Sequence, residues 1–439
     1  MLLARPDRLL RWDVLEEHLS EAAFLGTQWE SALTSARFTL EELQRGLEQR
    51  LLLHLEALAA AGPIAANRLL LPALAGEESE TIRAAALALL CSGPTYVPSL
   101  LPLLTDGEPC VSTAVQRAIQ LRGGEALAES LKPLLVTGPP QVQMTVLEIL
   151  RFLQVSPGPA LTTLCNHDVP EVQAAALRAA RLWPEAVQAQ RIHAALDSPV
   201  TTVREAGLEL GLVCGMRRAW KACQEWGQEN ASSGSKARLL LALGGNDAEL
   251  AQLLPLLEAP TLRRDVLWAL GFSGRMVAAN ACLAWLNDRA CGAVAAEAFC
   301  AITGLRLAGP FVKKTDETEE PAGTAGDDDA LLPGADDELV APEPLAIQQW
   351  WAQARLRFDP DTRYLGGRPF TPDRLSEALR TEPMRRRAPL ALELAIRSRG
   401  RHQLEVNAFA RIQARQLQTV QPEALRGLHA KAFATWMSA

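Results

Sequence analysis

The segment that decides the fold is "EVQAAALRAARLWP", residues 171–184. An apolar residue, Val172, is followed by a polar residue and then by a run dominated by Ala and Leu. This composition favours a helix, because Ala and Leu have high helix propensity. The small Ala side chains also allow a neighbouring helix to approach closely. The segment therefore predicts a helix that packs tightly against another helix.

The same pattern recurs with a period of about thirty residues. Successive apolar anchor residues are separated by 29, 31, 30, 31, 59 and 32 positions. The gap of 59 corresponds to two periods, and "GSKARLLLALGG" at 234–245 fills it less cleanly. Self-similarity at such a period is typical of helical repeat proteins. The anchors are Ile82, Val111, Val142, Val172, Val203, Leu262 and Val294.

A shorter helical run precedes most anchors, as in "SLLPLLTD" at 99–106 and "ACLAWLND" at 281–288. Each repeat is thus predicted to contain two helices. A single pair cannot bury its apolar face, whereas stacked pairs share a continuous core. We therefore predict an all-α fold, an α-solenoid of short HEAT-like repeats of about thirty residues over 63–308. A generic helical bundle is the alternative.

The second helices resemble those of short bacterial HEAT-like repeats, which commonly open with Val-Arg. Val203-Arg204 matches that opening, and Ile82-Arg83 is close to it. Other copies depart from it, since Gln143, Gln173 and Ala295 stand at the Arg position. These recurring polar positions would either contact a partner or stabilise the repeats themselves.

The regions before and after the array lack the thirty-residue pattern. Residues 1–62 are predicted to form an N-terminal helical cap, with one helix over 8–33 and a second that opens with a Thr39-x-x-Glu42 capping box. Residues 309–345 form an acidic linker, and 346–439 a basic, mostly helical C-terminal region. This last region includes a small hairpin, whose Gly366-Gly367 turn supplies the positive φ angles that such turns need.

The net charge of −7 is unevenly distributed. Residues 316–345 hold eleven acids and no Lys or Arg, whereas the chain from Leu345 onward has 16 basic and 8 acidic residues. The acidic strip reads as a solvated, disordered linker. The other hypothesis is that the strip docks on the neighbouring arginines and guards them. Those arginines are Arg385, Arg386, Arg387, Arg397, Arg399 and Arg401.

The chain as a whole resembles a family of proteobacterial proteins known mainly by a family number. The matching stretches include "WDVLEEHLSEAAFL", "WW…RF…RYLGG", "RRRAPLALELA" and "AAEAFCAITGL" followed by an acidic strip. Genes of this family often lie beside those for type VI secretion spikes and effectors. The resemblance implies a genomic neighbourhood rather than a mechanism.

No stretch carries a recognised catalytic or phosphate-binding motif. Ser233 and Lys236 have S-x-x-K spacing but lack the companion motifs. Asp327 and Asp329 begin a calcium-loop pattern that Leu331 and Leu332 interrupt. His18 and His54 lie near carboxylates on the first two helices and read as a polar contact rather than as a metal site, which needs three or four ligands.

The eight cysteines form no C-x-x-C pair and lie mostly in apolar runs, where Cys acts as a small hydrophobe. They favour a reducing, cytoplasmic location over a disulfide framework. The spacing of nine residues between Cys282, Cys291 and Cys300 argues against one shared metal site, because neighbouring members face opposite sides of a continuous helix. We expect no catalytic residue, no metal and no cofactor.

The predicted function is a non-enzymatic protein–protein interaction scaffold, an adaptor or chaperone or an immunity protein associated with type VI secretion. Its partner would be a secretion effector or spike component, with no membrane, small-molecule substrate or nucleic acid expected. The alternatives are a helical-repeat enzyme of lyase or glycosylase type and a nucleic-acid-binding protein. A pocket with converging titratable groups would favour the enzyme. The candidate partner contacts are Arg83, Arg204, Trp350, Trp351, Arg385, Arg386 and Arg387.

Overall fold

The computed structural model describes residues 10–229, 234–313, 336–420 and 430–438. Within these ranges helices predominate and the single sheet is a two-stranded hairpin, which confirms the all-α prediction. The hairpin strands are β1 (Tyr364–Leu365) and β2 (Arg368–Pro369). The first helices are α1 (Trp12–Ala32), α2 (Leu40–Leu43), α3 (Gln49–Ala60), α4 (Gly62–Ala65), α5 (Leu71–Ala73), α6 (Ser79–Ser92), α7 (Val97–Asp106), α8 (Pro109–Arg122), α9 (Glu125–Leu131), α10 (Leu134–Thr137), α11 (Pro140–Leu153), α12 (Ala160–Leu164) and α13 (Pro170–Ala180).

The remaining helices continue the series. They are α14 (Ala189–Leu196), α15 (Thr201–Val213), α16 (Arg217–Trp226), α17 (Ser235–Gly244), α18 (Asp247–Leu253), α19 (Pro260–Leu270), α20 (Met276–Leu283), α21 (Gly292–Thr303), α22 (Pro344–Ala354), α23 (Pro372–Thr381), α24 (Met384–Arg397) and α25 (Ala410–Thr419).

The chain divides into two compact units. Unit 1 comprises residues 1–33, 38–191 and 405–416, and unit 2 comprises 34–37, 192–404 and 417–439. The boundary falls inside α14, within the array predicted over 63–308, so the four-part scheme read from the sequence does not contain it. The periodicity of the repeats is the same on both sides of this boundary and gives no sign of it.

In unit 1, consecutive helical hairpins stack through their second helices. Helix α6 packs against α8, α8 against α11, and α11 against α13. Glu148 and Arg178, thirty residues apart at equivalent positions of neighbouring repeats, form an ion pair of 2.6 Å across this stack. The two helices of each hairpin also pack together, as α7 does with α8, α10 with α11 and α12 with α13, which agrees with the predicted pairing.

The two helices predicted near the N-terminus are present as α1 and as α2 with α3. Thr39 and Glu42 make the capping box that opens α2, and a short π-helical turn continues α2 into α3. Helix α3 then packs against α1. The buried carboxylate of Glu48 accepts hydrogen bonds from Trp29 Nε1 and from the backbone N–H of Ala410, which fixes the 405–416 segment to these helices.

The polar residue that follows the anchor has the same structural role in four of the repeats. Ser112 Oγ donates to the carbonyl of Leu104, and the side-chain amide of Gln143 donates to Leu135 in the same way. The bonded carbonyl is eight residues earlier for Ser112, Gln143 and Gln173 and six residues earlier for Arg263, near the end of the first helix of the same repeat. Such carbonyls lack a partner within their helix. The remaining members of this set are Gln173, which bonds the carbonyl of Cys165, and Arg263, which bonds that of Leu257.

Unit 2 contains a second stack, in which α17 packs against α19 and α19 against α21. Helix α24 lies against α15 and α17 and carries the buried carboxylate of Glu393. Both Arg363 and Arg397 donate to this carboxylate. A Cβ atom at Gly244 would overlap the ring of Phe433, so the close contact of that ring with α17 requires glycine.

The predicted hairpin has the expected turn, with φ of 58° at Gly366 and 75° at Gly367. The backbone N–H groups of these glycines donate to the carbonyls of Ala301 and Ile302. The hairpin thereby caps the C-terminal end of α21, where helix carbonyls lack partners.

Candidate functional site

Unit 2 contains a cavity of about 600 Å³ beside the C-terminal half of α21, here called the α21 cavity. Its walls come from α21 and the loop that follows it, from residues 36–37 and 338–340, from the β1–β2 turn, and from α23 and the start of α24. A volume of this size is in the range of protein ligand sites.

Helix α21 contributes a stripe to this cavity. Cys300 and Ala301 lie three and four residues after Glu297, and Gly304 lies three residues after Ala301, so these four residues share one face of the helix. Gly304 ends the helix in the left-handed conformation, with φ of 74°. The sharp exit places the next residues, Leu305 to Leu307, along the same cavity.

Two exposed arginines line the cavity from separate segments. Arg37 comes from the loop after α1, and Arg306 from the loop after α21. Neither guanidinium group has an ion pair or a side-chain hydrogen bond with another residue that the structure describes. Within the described part of the chain, both guanidinium groups therefore lack a counter-charge.

Glu297 and Arg386 lie deeper and are incompletely satisfied. Both carboxylate oxygens of Glu297 are buried without a hydrogen bond, although Oε1 lies 3.4 Å from Arg385 Nε. Arg386 donates through Nη2 to the carbonyl of Gly271, but its Nε and Nη1 make no hydrogen bond. Burial raises the pKa of Glu297 against the opposing effect of Arg386 and Arg385.

Cys300 is not suited to nucleophilic chemistry. Burial raises the pKa of its thiol to about 12, with a further contribution from Glu297. The thiolate is the nucleophilic form of cysteine, and a pKa this high leaves very little of it at neutral pH.

The structure places three of the predicted partner-contact residues in the interior of unit 2. Trp351 is 3% exposed and donates through Nε1 to Asn280. Arg387 is fully buried, and its Nε donates to the carbonyl of Leu379. Arg386 is 2% exposed. Their burial leaves little surface for a partner, although Arg386 also lines the α21 cavity, and partner contact through these three residues stays a prediction.

The other predicted contact residues are partly exposed. Arg83 donates to Thr27 Oγ1 at 3.1 Å in unit 1, and Arg204 lies 5.2 Å from the ring centre of Trp226 in unit 2. Trp350 stacks on its neighbour Trp351. Partner contact through these residues and through Arg385 stays a prediction.

The described end of the acidic strip touches one of the arginines on which docking was expected. Asp336 Oδ1 accepts a hydrogen bond from Arg385 at 2.7 Å. Residues 316–335, including the interrupted calcium-loop pattern, lie outside the described residues, as does Ser233. Close by, the isolated bridge between Val312 and Pro342 joins the chain on either side of residues 314–335.

Arg397, Arg399 and Arg401 have other partners. Arg397 donates to Glu393, while the guanidinium groups of Arg399 and Arg401 donate to backbone carbonyls of Trp436 and Ser398.

His18 and His54, which were expected to make a polar contact, lie side by side in unit 1. Their Nδ1 atoms are 2.9 Å apart, so one ring donates a hydrogen bond to the other. Burial lowers the pKa of His54, and the charge of His18 lowers it further. Among the described residues, no group of three or more His, Cys, Asp or Glu side chains could hold a metal ion. In the same part of the chain, no helix has the length and apolar character needed to span a bilayer.

The reasoning from sequence did not select Glu297, although a signal was present. Glu297 is the only charged residue in the apolar helix "AVAAEAFCAITGL" at 293–305. A charged residue in such a run needs a nearby partner or a polar cavity. Arg37 and Arg306 carry no comparable signal, because their position at one cavity depends on distant segments.

Known proteins show little similarity to this chain. No protein-family model matches the chain, and the comparison with curated proteins gives no match either. Among solved structures, one similar chain is that of an engineered protein from a structural genomics consortium, at 17% sequence identity. The match covers 86% of this chain and 98% of that one, with a TM-score of 0.29. Similarity at this level defines neither the fold nor the function of this chain.

Proposed function

We propose that this protein is a non-enzymatic scaffold that binds another protein. The observation that supports the proposal is the stacking of consecutive helical hairpins within each unit. Stacked repeats present surfaces that extend over several hairpins, which suits them to hold a folded partner or an extended segment. Most recurring polar positions of the second helices serve the repeats themselves, so we place the partner surface elsewhere.

The class of partner follows from the sequence resemblance. It points to a component of type VI secretion, either an effector or part of the spike. The scaffold would then act as an adaptor or chaperone, or as an immunity protein that neutralises a toxic effector. We further propose that it works in the cytoplasm, where its free cysteines remain reduced.

The test is affinity purification of the full-length chain from its native cell, followed by reconstitution of each candidate complex from purified proteins. An adaptor is expected to co-purify with the spike and to be required for secretion of the effector. An immunity protein is expected to protect cells that co-express the neighbouring toxin. Failure to reconstitute a stoichiometric complex with any such component would contradict the proposal.

A helical-repeat enzyme is the second candidate, and the α21 cavity is the observation that favours it. The cavity holds Glu297, whose pKa is raised by burial, together with Glu382. A general acid must reach within hydrogen-bond distance of its substrate. We prefer the scaffold because the carboxylate oxygens of Glu297 are buried.

Nucleic-acid binding is the remaining alternative. It requires an exposed basic surface, but Arg386, Arg387 and Arg397 of the basic region are buried. Its test is binding to duplex DNA across a salt series, where a steep loss of affinity with salt is the expected signature.

A further inference from the structure

The α21 cavity combines apolar walls with positive charge that has no partner among the described side chains. Arg37 and Arg306 supply the charge, since neither is paired with another described side chain. Leu305, Leu307 and Leu339 are among the apolar residues of the walls. A ligand that fits both features carries a negative charge next to an apolar group.

Of the remaining charged residues of the cavity, Glu297 is buried, and the others are engaged with one another or with the backbone. Glu338 Oε2 accepts hydrogen bonds from Ser35 Oγ and from the backbone N–H of Ala36, at 2.5 and 2.7 Å. Arg374 Nε donates to the carbonyl of Leu365, and Glu382 lies within 4 Å of both Arg374 and Arg386. The unpaired charge that a ligand can reach is therefore positive.

The protein's own chain shows which kind of segment suits this surface. Glu338, Leu339 and Val340 lie along the cavity as an acidic residue followed by two apolar ones. The acidic side chain takes hydrogen bonds from the 35–36 turn, while the apolar side chains form part of the wall. A second segment of the same chemistry would meet the charges of Arg37 and Arg306.

We propose that the α21 cavity binds an acidic–apolar segment of the partner protein, with a carboxylate of that segment held by Arg37 and Arg306. This inference rests on the proposed scaffold function and specifies its partner's chemistry. Guanidinium groups are well suited to the task, because they bind carboxylates with directed, charge-assisted hydrogen bonds. The apolar walls take the side chains beside the carboxylate.

The test uses the full-length protein and a fluorescein-labelled tetrapeptide, Glu-Leu-Leu-Glu-amide, with fluorescence anisotropy as the readout. The matched probe is Gln-Leu-Leu-Gln-amide, which has nearly the same shape and no carboxylate. The acidic probe is expected to bind about tenfold more tightly than the amide probe, since hydrogen bonds to charged groups are the stronger ones. Raising the salt concentration should narrow this difference, because exposed charges are screened.

The variants Arg37→Gln and Arg306→Gln change exposed side chains, so folding should be preserved. Each is expected to weaken binding of the acidic probe several-fold and to leave the amide probe unaffected. Arg357→Gln is the control, because Arg357 is exposed in the same unit and does not line the cavity. This substitution should not change the affinity for either probe.

Three results would overturn the inference: absence of binding by the acidic probe, equal binding of the two probes, or an equal effect of Arg357→Gln. These results concern the cavity alone. A captured secretion component that still binds the Arg37 and Arg306 variants would leave the scaffold function standing while rejecting this site. Failure to capture any such component would reject the scaffold instead, whatever the tetrapeptide does.

Discussion

Glu393 and Glu297 are both glutamates of unit 2 whose carboxylate oxygens are buried beside arginines, yet their hydrogen bonds differ. The Glu393 carboxylate receives hydrogen bonds from Arg363 and Arg397. The Glu297 carboxylate receives none from the residues that the structure describes. Burial by itself raises the pKa of Glu393, but Arg363 and Arg397 outweigh it and hold that pKa below the usual value, whereas the pKa of Glu297 is raised.

Glutamate and arginine thus have two different roles in unit 2, depending on whether the carboxylate is hydrogen-bonded. A buried carboxylate that is fully paired fixes the fold, because removing one partner leaves uncompensated charge. The carboxylate of Glu297, which has no such hydrogen bonds, lies beside a cavity, and we expect its charge to contribute less to the fold. The following predictions test this contrast, beginning with the largest expected effect.

The substitution Glu393→Gln should produce the largest loss of stability. It leaves Arg363 and Arg397 buried without their counter-charge, and breaking a buried ion pair costs about 3–5 kcal/mol. Urea unfolding followed by circular dichroism measures the change. Glu377→Gln is the matched control, since Glu377 is 47% exposed in its pair with Arg368 and should cost less than about 1 kcal/mol.

The same contrast predicts a dependence on pH. The pKa of Glu393 is lowered by folding, so its stabilising contribution is present above the ordinary Glu pKa of about 4.3 and is lost as pH falls through the folded value. Wild-type stability should therefore decline in acid more than that of Glu393→Gln. If the stability of the two proteins declined equally as the pH falls, this carboxylate would not have the proposed role.

Removal of a neutral side chain that makes a buried hydrogen bond should cause an intermediate loss of stability. Gln143 is buried and donates to the carbonyl of Leu135, so Gln143→Ala should cost about 1 kcal/mol. The control is Gln141→Ala, an exposed position on the same helix. If the two variants unfold at the same urea concentration, the recurring bond within each repeat does not stabilise the array.

The substitution Glu297→Gln should change stability by less than about 1 kcal/mol. Gln removes a buried charge that has no hydrogen bond to lose, although Arg385 and Arg386 lose a nearby negative charge. Thermal unfolding at neutral pH measures the result. A loss close to that of Glu393→Gln would break the comparison and would make Glu297 a structural residue.

The smallest effect is expected at the histidine pair of unit 1. The pKa of His54 is lowered in the folded state, so the unfolded chain binds a proton more readily. Stability should fall as pH drops below the unfolded His pKa of about 6.5 and level off below the folded value. His54 also faces Glu17, Glu21 and Arg50. In His54→Gln, urea midpoints at pH 7.5 and 5.5 should differ less than in the wild type, and an unchanged difference would contradict this role.

Several features could be predicted from the sequence because they depend on near neighbours. The Thr39–Glu42 capping box spans one helical turn, and the Gly366-Gly367 turn needs only positive φ at two adjacent residues. The pairing of short helices follows from the thirty-residue period. The burial of the two tryptophans was harder to predict. Trp351 is buried and Trp350 is partly exposed, and the helical pattern did not distinguish them.

The candidate site could not be predicted in the same way. Arg37 and Arg306 are separated by most of the repeat array, yet both line one cavity. The run Arg385–Arg387 looked like a basic surface, but two of its three side chains are buried. Arginine is usually exposed, and only the neighbouring carbonyls and rings of the folded unit explain why these two are not.

The amino-acid sequence by itself determined the helices, their pairing into repeats of about thirty residues, and the turns and caps that begin and end them. These features depend on interactions over a few residues and on the 3.6-residue period of the helix. The tertiary structure alone decided which charges are paired, which are buried and which line a cavity. Those outcomes depend on distances between residues far apart in the chain, and the strength of each charge depends on how much water remains around it.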